Sequence, residues 1–479
     1  MYIIGDDNME NSNASTKKYN LIYATICGIK NIENEIRIDF LNSTLKKDGK
    51  IDLTNKKIKG IYGANGAGKS AIISAFDLYK NICSIPNYLE QPQVVTELNE
   101  IINKKIKKAE ITVVFASSSN EKVNKIFKHK ISIFHGEIVP YQLEEEICEA
   151  KDKNKANGEY KEIIKVKDGS IITSIQYYDL KKEIIELEKL KLINSSICSN
   201  IPSIINSFSK FLSVEKTKND QYLISKEFTE IMNLYAAIFA FITISLNLHI
   251  YLDIKDRHQY KNPYFDIQKK LKEKKVSDDI LSLIPNNDEK YYFTSTNDIV
   301  PKKEIKKYEE SYKKIRDFIK IIKPSLKNII IDYTDYDKDN YKCRKIFVSD
   351  DYKIDMEYES TGIKKMVELY TYIKEAFDGG IVFIDEIDAN ISGVFLDKLM
   401  ECFNENGKGQ LCFSSHNYYS MNKLKNFITL TTIGESGIVV DISKNGNYNP
   451  ANLFYNGDIM DSPFNIESYD FEKMFMDED

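Results

Sequence analysis

The sequence predicts an α/β fold with a parallel sheet, an antiparallel β subdomain and a large helical insertion that includes a short coiled coil. Three observations support this prediction. A glycine-rich loop at residues 63–70 lies between an apolar run and a helical pattern. Segments in which apolar and polar residues alternate lie on both sides of that loop, as expected for antiparallel strands. A buried-strand pattern that ends in two acidic residues appears at 380–386.

The loop has the pattern GxxxxGK[ST] and reads Gly63-Ala64-Asn65-Gly66-Ala67-Gly68-Lys69-Ser70. The run 58–62 before it predicts a strand, and 71–76 continues with helical spacing. In this setting, backbone N–H groups and the positive end of the helix point at an anion. We therefore predict that the loop, together with Ala71, binds nucleotide phosphates. Lys69 would reach the β- and γ-phosphates, and Ser70 would bind Mg²⁺.

Strand and helix patterns continue along the chain. Alternating segments predict antiparallel strands at 19–26, 36–40, 111–115 and 130–134, a hairpin or loop at 151–169, and further strands at 328–332 and 345–348. Helical spacing appears at 183–190 and 304–322, but its apolar repeat is too short for a long coiled-coil arm. The lysine runs at 269–275, 302–307 and 313–314 indicate solvated helix faces or phosphate contacts.

These patterns divide the chain into four predicted segments. Residues 1–18 are polar, lack an apolar signal core and are interpreted as a disordered tail. Residues 19–170 would form the first part of the nucleotide-binding domain and 171–324 the helical insertion. Residues 325–479 would form the second part of the domain.

Composition places few limits on the partners of the chain. Its 479 residues suffice for about two to four domain-sized units. The formal net charge of −5 neither requires nor excludes nucleic acid, because local patches matter more than the sum. Seven scattered cysteines without a CxxC pair, and five histidines, assemble no zinc site from their spacing. This usage indicates a reducing environment, and we expect a cytoplasmic protein.

The segment 234–246 is apolar on all sides. It is shorter than the roughly 20 apolar residues that a membrane-spanning helix needs. We therefore predict a buried helix and no membrane contact. A membrane span and an oligomer interface are the alternatives.

The second half of the predicted site begins at residue 380. The run 381–384 is apolar and predicts a buried parallel strand, whose carboxyl end would lie beside the phosphate loop. It ends in two carboxylates with separate predicted roles. Asp385 would hold the magnesium shell, and Glu386 would accept a proton from the attacking water.

Two further motifs complete the predicted chemistry. The strand 411–413 ends in a polar turn with His416, which would contact a γ-phosphate; the alternative is a structural or surface histidine. Upstream, a predicted helix begins near Ser360 and runs to about residue 377. Ser360 is a suitable N-cap, and Gly362 lets the backbone approach an anion. The alternative for this segment is an ordinary capped helix.

In this order, the phosphate loop, helical insertion, Ser-x-Gly helix start, Asp-Glu strand and Ser-His turn resemble ABC-type ATPases of the SMC/Rad50/RecF group. The chain is similar to the stand-alone bacterial AAA15 or OLD-like ATPases, which include ATPase subunits of phage-defence systems such as PARIS, retron-associated and Septu systems. The resemblance covers residues 20–150 and 325–440. It implies an ABC-type P-loop NTPase lobe that binds and hydrolyses ATP with Mg²⁺.

The resemblance also implies an oligomer in which two lobes sandwich ATP. Ser360 and Gly362 would then serve the nucleotide of the partner lobe, whereas the phosphate loop, the acidic strand end and His416 would serve the lobe's own nucleotide. Asp388 begins the short turn that communicates across the dimer in relatives.

The chain departs from the family pattern in several respects. The signature is not LSGGQ, because Thr361 and Lys364 replace residues typical of transporters. The glutamine of the magnesium site is not identifiable, and we choose Gln142 as the ligand beside Ser70 and Asp385; the other candidates are Gln91, Gln93 and Gln176. The sequence shows no zinc-hook cysteine pair and no acidic nuclease cluster after the ATPase motifs.

Three functions follow from these features. The first is an oligomeric sensor and scaffold in anti-phage defence that controls a separate effector, a nuclease or toxin. The second is a DNA-repair or chromosome-maintenance ATPase that binds duplex DNA through its lysine-rich faces. A transporter ATPase subunit is disfavoured, because the insertion is too large and the signature differs.

Overall fold

The structure is a computed structural model that describes residues 18–41, 51, 53, 57–119, 122–173, 189–218, 226–252, 293–294, 297–425, 429–433, 439–442 and 449–456. The strands in these residues are β1 (Lys18–Cys27), β2 (Ile36–Asp39), β3 (Ile58–Gly63), β4 (Lys108–Ser119), β5 (Lys122–His135), β6 (Tyr141–Ala150), β7 (Tyr160–Lys167), β8 (Ser170–Thr173), β9 (Leu248–Tyr251), β10 (Asp298–Pro301), β11 (Asn328–Asp335), β12 (Asn340–Val348), β13 (Lys353–Asp355), β14 (Ile381–Ile384), β15 (Gln410–Ser414), β16 (Thr429–Ile433) and β17 (Val439–Ile442). The helices are α1 (Lys69–Ser84), α2 (Pro92–Ile101), α3 (Ile201–Lys218), α4 (Lys226–Asn247), α5 (Ile305–Lys320), α6 (Thr361–Asp378), α7 (Gly393–Asn406), α8 (Tyr418–Leu424) and α9 (Pro450–Tyr455).

A six-stranded sheet forms the centre of the fold, in the order β17-β16-β3-β15-β14-β9. All neighbours in it are parallel except β17, which runs antiparallel to β16. The predicted strands at 58–62, 381–384 and 411–413 are confirmed as β3, β14 and β15. Because parallel strands share one carboxyl edge, the ends of these three strands meet there.

A seven-stranded antiparallel sheet has the order β2-β1-β4-β5-β6-β7-β8. It contains the strands predicted at 19–26, 36–40, 111–115 and 130–134, and the stretch predicted as a hairpin or loop ends in the β7–β8 hairpin. The combination of a parallel and an antiparallel sheet with helical segments confirms the predicted α/β fold class.

Helix α1 lies between these two sheets. Its Phe76 stacks on Phe383 of β14 with ring centroids 4.1 Å apart, and Phe40 packs edge-on against both rings. Strand β14 divides its apolar side chains between two cores, as the period of two requires. Ile381 and Phe383 face α1, whereas Val382 and Ile384 face α6 and α7. The phosphate-loop helix is therefore packed directly on the strand that leads to Asp385.

Helix α4 confirms the buried helix predicted at 234–246. Most of its described side chains are buried in the core that also holds α1. The window 230–247 is long and apolar enough to cross a membrane by length and composition, and 67% of it is buried inside the structure. Strand β9 follows α4 directly and pairs in parallel with β14. The range predicted as the helical insertion thus includes a strand of the central sheet, which the sequence analysis did not expect.

A buried chain of polar side chains joins α1 to the antiparallel sheet. The Tyr79 hydroxyl lies 2.9 Å from Nδ1 of His129, whose Nε2 lies 2.8 Å from the Glu145 carboxylate. Glu145 also accepts the Ser196 hydroxyl at 2.7 Å and the Ile197 N–H at 2.8 Å. A carboxylate only accepts, so Nε2 donates and, in neutral His129, Nδ1 accepts from Tyr79. Burial raises the pKa of the Tyr79 hydroxyl, which keeps it a donor.

A third sheet, in the order β10-β12-β11 with β13 beside β12, packs against α5 and α6. It contains the predicted strands at 328–332 and 345–348, and α5 confirms the helix predicted at 304–322. A buried carboxylate, Asp298, accepts hydrogen bonds from Thr294 at 2.6 Å, from Lys345 at 3.0 Å and from Tyr308. The predicted helix at 183–190, the lysine run 269–275 and Gln176 lie outside or almost outside the described residues.

Candidate nucleotide-binding site

The glycine-rich loop connects the carboxyl end of β3 to the first turn of α1. Gly68 precedes the helix with φ 115°, a left-handed conformation that other residues rarely adopt. The helical hydrogen bonds begin with the Ile72 N–H, which donates to the Gly68 carbonyl at 3.1 Å. By position, the amides of Lys69, Ser70 and Ala71 have no acceptor within the helix. Such a helix end attracts anions.

Lys69 is buried at this helix end and folds back over the loop. Its ammonium group donates to the carbonyls of Gly63 at 2.8 Å and Ala64 at 2.9 Å. Burial lowers the pKa of Lys69, while nearby carboxylates oppose the shift. The carboxylates that act on it belong to Asp385, Glu386 and Asp388. The predicted lysine and the predicted acidic strand end therefore lie within electrostatic range of each other.

A serine on β15 holds the acidic pair at the end of β14. The Ser414 hydroxyl donates to the Asp385 carboxylate at 2.5 Å and accepts the Glu386 N–H at 2.8 Å. The Asp385 N–H donates to the carbonyl of Tyr251 on β9 at 3.0 Å. Glu386 has a positive φ of 48°, which turns the chain sharply after the strand. Asp385 is thus buried and fixed from both neighbouring strands, whereas the Glu386 side chain is half-exposed.

His416, which the sequence analysis expects at a γ-phosphate, lies next to Glu386. Its Nε2 is 3.7 Å from the Glu386 carboxylate, and both side chains are accessible, at 39% and 46% exposure. The residue before His416 is hydrogen-bonded to the central sheet, because the Ser415 N–H donates to the carbonyl of Ile61 on β3 at 3.1 Å. The structure thus brings His416, Glu386, Asp385 and the phosphate loop to one edge of the sheet.

The second predicted group, Ser360 and Gly362, starts helix α6. The Ser360 hydroxyl accepts the Ile363 N–H at 3.4 Å, which is a weak N-cap. A Cβ at Gly362 would come within 2.4 Å of the Asn390 carbonyl, so the helix start lies against the turn 387–391. Among the described residues, no hydrogen bond joins Ser360 or Gly362 to the phosphate loop of the same chain.

Asp388 lies in this turn and has a buried carboxylate oxygen. Oδ1 has no hydrogen-bond partner among the described residues. Asn390 in the same turn has a positive φ of 63°. A buried polar atom and a strained backbone are both costly, and such features cluster at functional sites. These two features, and the position of the turn directly after Asp385 and Glu386, make it a candidate part of the site.

The β1–β2 connection reaches the phosphate loop, which the sequence analysis did not foresee. The Asn31 side-chain amide donates to the Gly66 carbonyl at 2.6 Å, and the Lys30 ammonium donates to the Ser74 hydroxyl of α1 at 3.0 Å. Lys30 has a positive φ of 48°, and its carbonyl accepts the Asn103 side chain at 2.7 Å. These contacts join segments far apart in sequence, so no local pattern could indicate them.

Gln142 is the predicted metal ligand that the structure does not bring to this group. It lies on β6, and its amide donates to Asp168 at 3.1 Å. Strand β6 is three places from β1 in the antiparallel sheet. At a strand spacing of about 4.8 Å, this is about 14 Å from β1, the strand whose connection to β2 reaches the phosphate loop.

The residues at the strand edge fit a magnesium ion that is bound with a nucleotide. Magnesium takes one or two protein oxygen ligands and completes its octahedron with phosphates and water. Ser70 and Asp385 supply such oxygens, and Asp388 has a buried oxygen without a partner among the described residues. Among all the residues that the structure describes, no cluster of three or more His, Cys, Asp or Glu side chains could hold a metal by itself.

No protein-family model matches the chain, and no curated protein matches it. Solved structures similar to it include three SMC head domains. One, from Pyrococcus furiosus with an extended coiled coil and the ScpA C-terminal domain bound, is 13% identical, with 89% of this chain and 96% of that chain covered and a TM-score of 0.37. An SMC head bound to the C-terminal winged-helix domain of ScpA is 11% identical, with coverages of 89% and 98% and a TM-score of 0.39. The head from Thermotoga maritima is 10% identical, with coverages of 89% and 100% and a TM-score of 0.34.

Proposed function

We propose that this chain is an ABC-type ATPase that binds ATP with Mg²⁺ and hydrolyses it to ADP and phosphate. The observation that carries the proposal is the convergence of four elements at one sheet edge. The glycine-rich loop with Lys69, the Ser414-bound Asp385, and the accessible pair of Glu386 and His416 belong to three neighbouring strands. Phosphoryl transfer needs positioned cations, a metal ligand and a group that orients water, and this edge supplies each.

Each residue has a defined role in this proposal. The Lys69 ammonium exchanges its two loop carbonyls for the β- and γ-phosphate oxygens. The Ser70 hydroxyl and the Asp385 carboxylate hold Mg²⁺, which neutralises charge on those oxygens when it is bound. The Glu386 carboxylate accepts the proton of the attacking water, and its exposure leaves room for that water. His416, beside Glu386, donates to the γ-phosphate.

We further propose that two copies complete the site. Ser360 and Gly362 start a helix whose end lies against the turn 387–391, and among the described residues neither makes a hydrogen bond to the chain's own phosphate loop. In a two-lobe sandwich, this helix end would face the ATP of the partner copy. Gln142 remains a prediction for the magnesium shell, without a contact that supports it.

For the biological role we propose an oligomeric sensor and scaffold in anti-phage defence, acting in the cytoplasm on a separate nuclease or toxin. The resemblance to defence ATPases supports this role. A second candidate, a DNA-repair or chromosome-maintenance ATPase, is favoured by the surface of α5. Its apolar side chains are buried, and five lysines are exposed along the preceding turn and the helix: Lys303, Lys306, Lys307, Lys313 and Lys314. Positions seven apart lie about 10.5 Å apart on one face, where they could contact phosphates.

Two variants test the ATPase. Lys69→Ala removes the cation at the phosphates, so we expect no nucleotide binding and no phosphate release. The exposed-site variant Lys313→Ala is the matched control. Glu386→Gln keeps the shape of the side chain but removes the base, so an ATP-bound dimer should accumulate in size-exclusion chromatography with light scattering. Glu405→Gln is its exposed control. Parental turnover in either site variant would contradict the assignment.

The two roles are separated by what the trapped protein binds. Glu386→Gln protein is purified from its native host with ATP, and its partners are identified by mass spectrometry. A nuclease or toxin that co-purifies supports the defence role, provided that deletion of the gene also raises phage sensitivity. Duplex DNA that stimulates hydrolysis, with binding that weakens steeply with salt and is lost in Lys306→Glu/Lys313→Glu, supports the second role.

A further inference from the structure

Tyr251, at the carboxyl end of β9, contacts both the strand that leads to the site and the helix that starts at Ser360. Its backbone carbonyl accepts the Asp385 N–H at 3.0 Å, and in the β9–β14 register it lies beside Ile384. Its side chain points to α6, where the hydroxyl donates to the Glu368 carboxylate at 2.9 Å. One residue therefore contacts Asp385 through its main chain and α6 through its side chain.

Three side chains of α6 surround the Tyr251 ring. The Lys365 ammonium lies over the ring at 4.3 Å from the centroid, and Tyr372 packs edge-on at 5.4 Å. With Glu368, these residues stand at i, i+3 and i+7, so they lie on one face of the helix. Tyr251, Lys365, Glu368 and Tyr372 are each at most 7% exposed. Tyr251 thus contributes a hydrogen bond to the buried Glu368 and a ring contact to the buried Lys365, both of which favour one position of the helix over the tyrosine.

The same helix presents Ser360 and Gly362 at its start. Lys365 is only five residues after Ser360, which is about 7.5 Å along a helix. The first turn of α6 also lies against the turn 387–391, because a Cβ at Gly362 would come within 2.4 Å of the Asn390 carbonyl. The position of the helix start is therefore set at two places. One is the turn after β14, and the other is the Tyr251 side chain.

We propose that Tyr251 is a positioning residue that aligns the start of α6 with the magnesium-binding end of β14. This inference rests on the proposed ATPase function. The hydroxyl supplies a directional bond to a buried carboxylate, so small rotations of α6 about its axis break it. When Tyr251 is in place, the helix start that serves the partner's ATP and the Asp385 that serves the chain's own ATP keep one relative orientation.

The test substitutes Tyr251→Phe, which removes the hydroxyl and leaves the ring under Lys365. We expect kcat for ATP hydrolysis to fall about tenfold or more, since tenfold is the rate equivalent of the weakest hydrogen bonds to a charged group. The Kd for ATP, measured on the same protein with a fluorescent ATP analogue, should stay within about twofold, because no phosphate contact is removed. The change would thus fall on kcat and not on binding.

The matched control is Tyr308→Phe, which also removes a buried tyrosine hydroxyl from a carboxylate, that of Asp298. This bond joins α5 to the third sheet and does not involve Tyr251 or the strand edge. Both variants should lower the thermal midpoint by similar amounts. Only Tyr251→Phe should lower kcat. An equal loss of kcat in the two variants would reduce the role of Tyr251 to general stability and overturn the proposal.

A double variant and a measurement independent of turnover complete the test. Because Tyr251→Phe and Glu368→Gln disturb the same bond, the double variant should lose little more kcat than the worse single variant, and additive losses would contradict the coupling. Amide hydrogen exchange of residues 361–364 should be faster in Tyr251→Phe than in the parent and in Tyr308→Phe. If the parent hydrolyses ATP and Tyr251→Phe changes neither amide exchange nor kcat, this inference is refuted and the proposed function is not. A parent that neither binds nor hydrolyses ATP refutes the proposed function, and the exchange result still decides the positioning role.

Discussion

The Ser414 hydroxyl lies 2.5 Å from the Asp385 carboxylate, and its oxygen also accepts the N–H of the next residue, Glu386. A single side chain on β15 thereby fixes the first carboxylate and the backbone of the second. The two acidic residues are adjacent in sequence but differ in environment: Asp385 is buried, and Glu386 is half-exposed. This difference suits a fixed metal ligand beside a base that must reach water.

Substitution of Ser414 by alanine should weaken magnesium binding at the proposed site, because it removes two hydrogen bonds that hold the acidic pair. The Glu386 N–H and one Asp385 oxygen lose their partner, at a cost of about 1–3 kcal/mol per buried group. We expect a several-fold rise in the Mg²⁺ concentration required for half-maximal ATP turnover, measured by magnesium titration.

The neighbouring variant Ser415→Ala serves as the control for Ser414→Ala. Ser415 is equally buried, but its hydroxyl accepts the Asn417 N–H at 3.0 Å and does not hold the acidic pair. Its magnesium requirement should match the parent. If both variants shift the titration alike, Ser414 does not orient Asp385.

Gly362→Ala should uncouple nucleotide binding from turnover. The added Cβ would meet the Asn390 carbonyl at 2.4 Å, so the start of α6 or the turn 387–391 must move. We expect ATP binding to persist and ATP-dependent dimerisation to be lost in light scattering. In Gly393→Ala, the added Cβ would lie 3.5 Å from Asn417 Nδ2, an ordinary contact, and dimerisation should be retained. A Gly362→Ala protein that dimerises normally would disprove the role of this helix start.

Asn31→Ala should raise the Kd for ATP about three- to tenfold, because the hydrogen bond that orders the tip of the phosphate loop at Gly66 is lost. Isothermal titration with a non-hydrolysable ATP analogue measures this change. Asn20→Ala, near the opposite end of β1, removes a contact with Ser118 instead and should leave the affinity unchanged. Equal affinities for the parent and Asn31→Ala would remove Asn31 from the site.

Glu110 should give stability that depends on pH. Burial raises the pKa of Glu110, but Lys108, Lys130 and the Ser132 hydroxyl outweigh this and lower it from 4.5 to about 2. A lowered folded-state pKa stabilises the fold above the unfolded value of 4.5, and this stability is lost as pH falls toward 2.

The variant Glu110→Gln measures this contribution by urea unfolding. Because Glu110 and its two lysine partners are partly exposed, we expect the variant to be less stable than the parent by about 0.5–1 kcal/mol at pH 7. The difference should shrink as pH falls below 4.5. Glu100→Gln, from an exposed pair with Lys104 at the carboxyl end of α2, should show almost no difference at either pH. A difference that grows on acidification would reverse the sign of the argument.

Most of the fold could be predicted because its patterns are local. The alternation at 19–26 and 111–115 and the apolar run at 381–384 have the period of a strand, and each is a strand in the structure. Strand β9 escaped prediction because its four residues follow the apolar helix α4 without a turn signal. A short apolar run cannot be assigned to helix or strand by its period.

The candidate site likewise contains residues that local patterns reveal and residues that they do not. The glycine loop and the Asp-Glu pair are contiguous motifs, and both were found in the sequence. The contact between Asn31 and Gly66 joins residues 35 apart, and that between Tyr251 and Glu368 joins residues 117 apart. Such pairs arise only from the packing of sheets and helices. Gln142 shows the converse difficulty, because glutamine has no local pattern that separates a metal ligand from a strand residue.

The buried chain from Tyr79 through His129 to Glu145 has a consequence for the angular setting of α1. Apolar packing tolerates small rotations of a helix about its axis, but hydrogen bonds in series do not. Each residue of a helix turns it by about 100°, so the direction of Tyr79 also determines the direction of Lys69 ten residues earlier. The antiparallel sheet thus acts as a fixed reference for the direction of Lys69, the residue that we propose binds the phosphates.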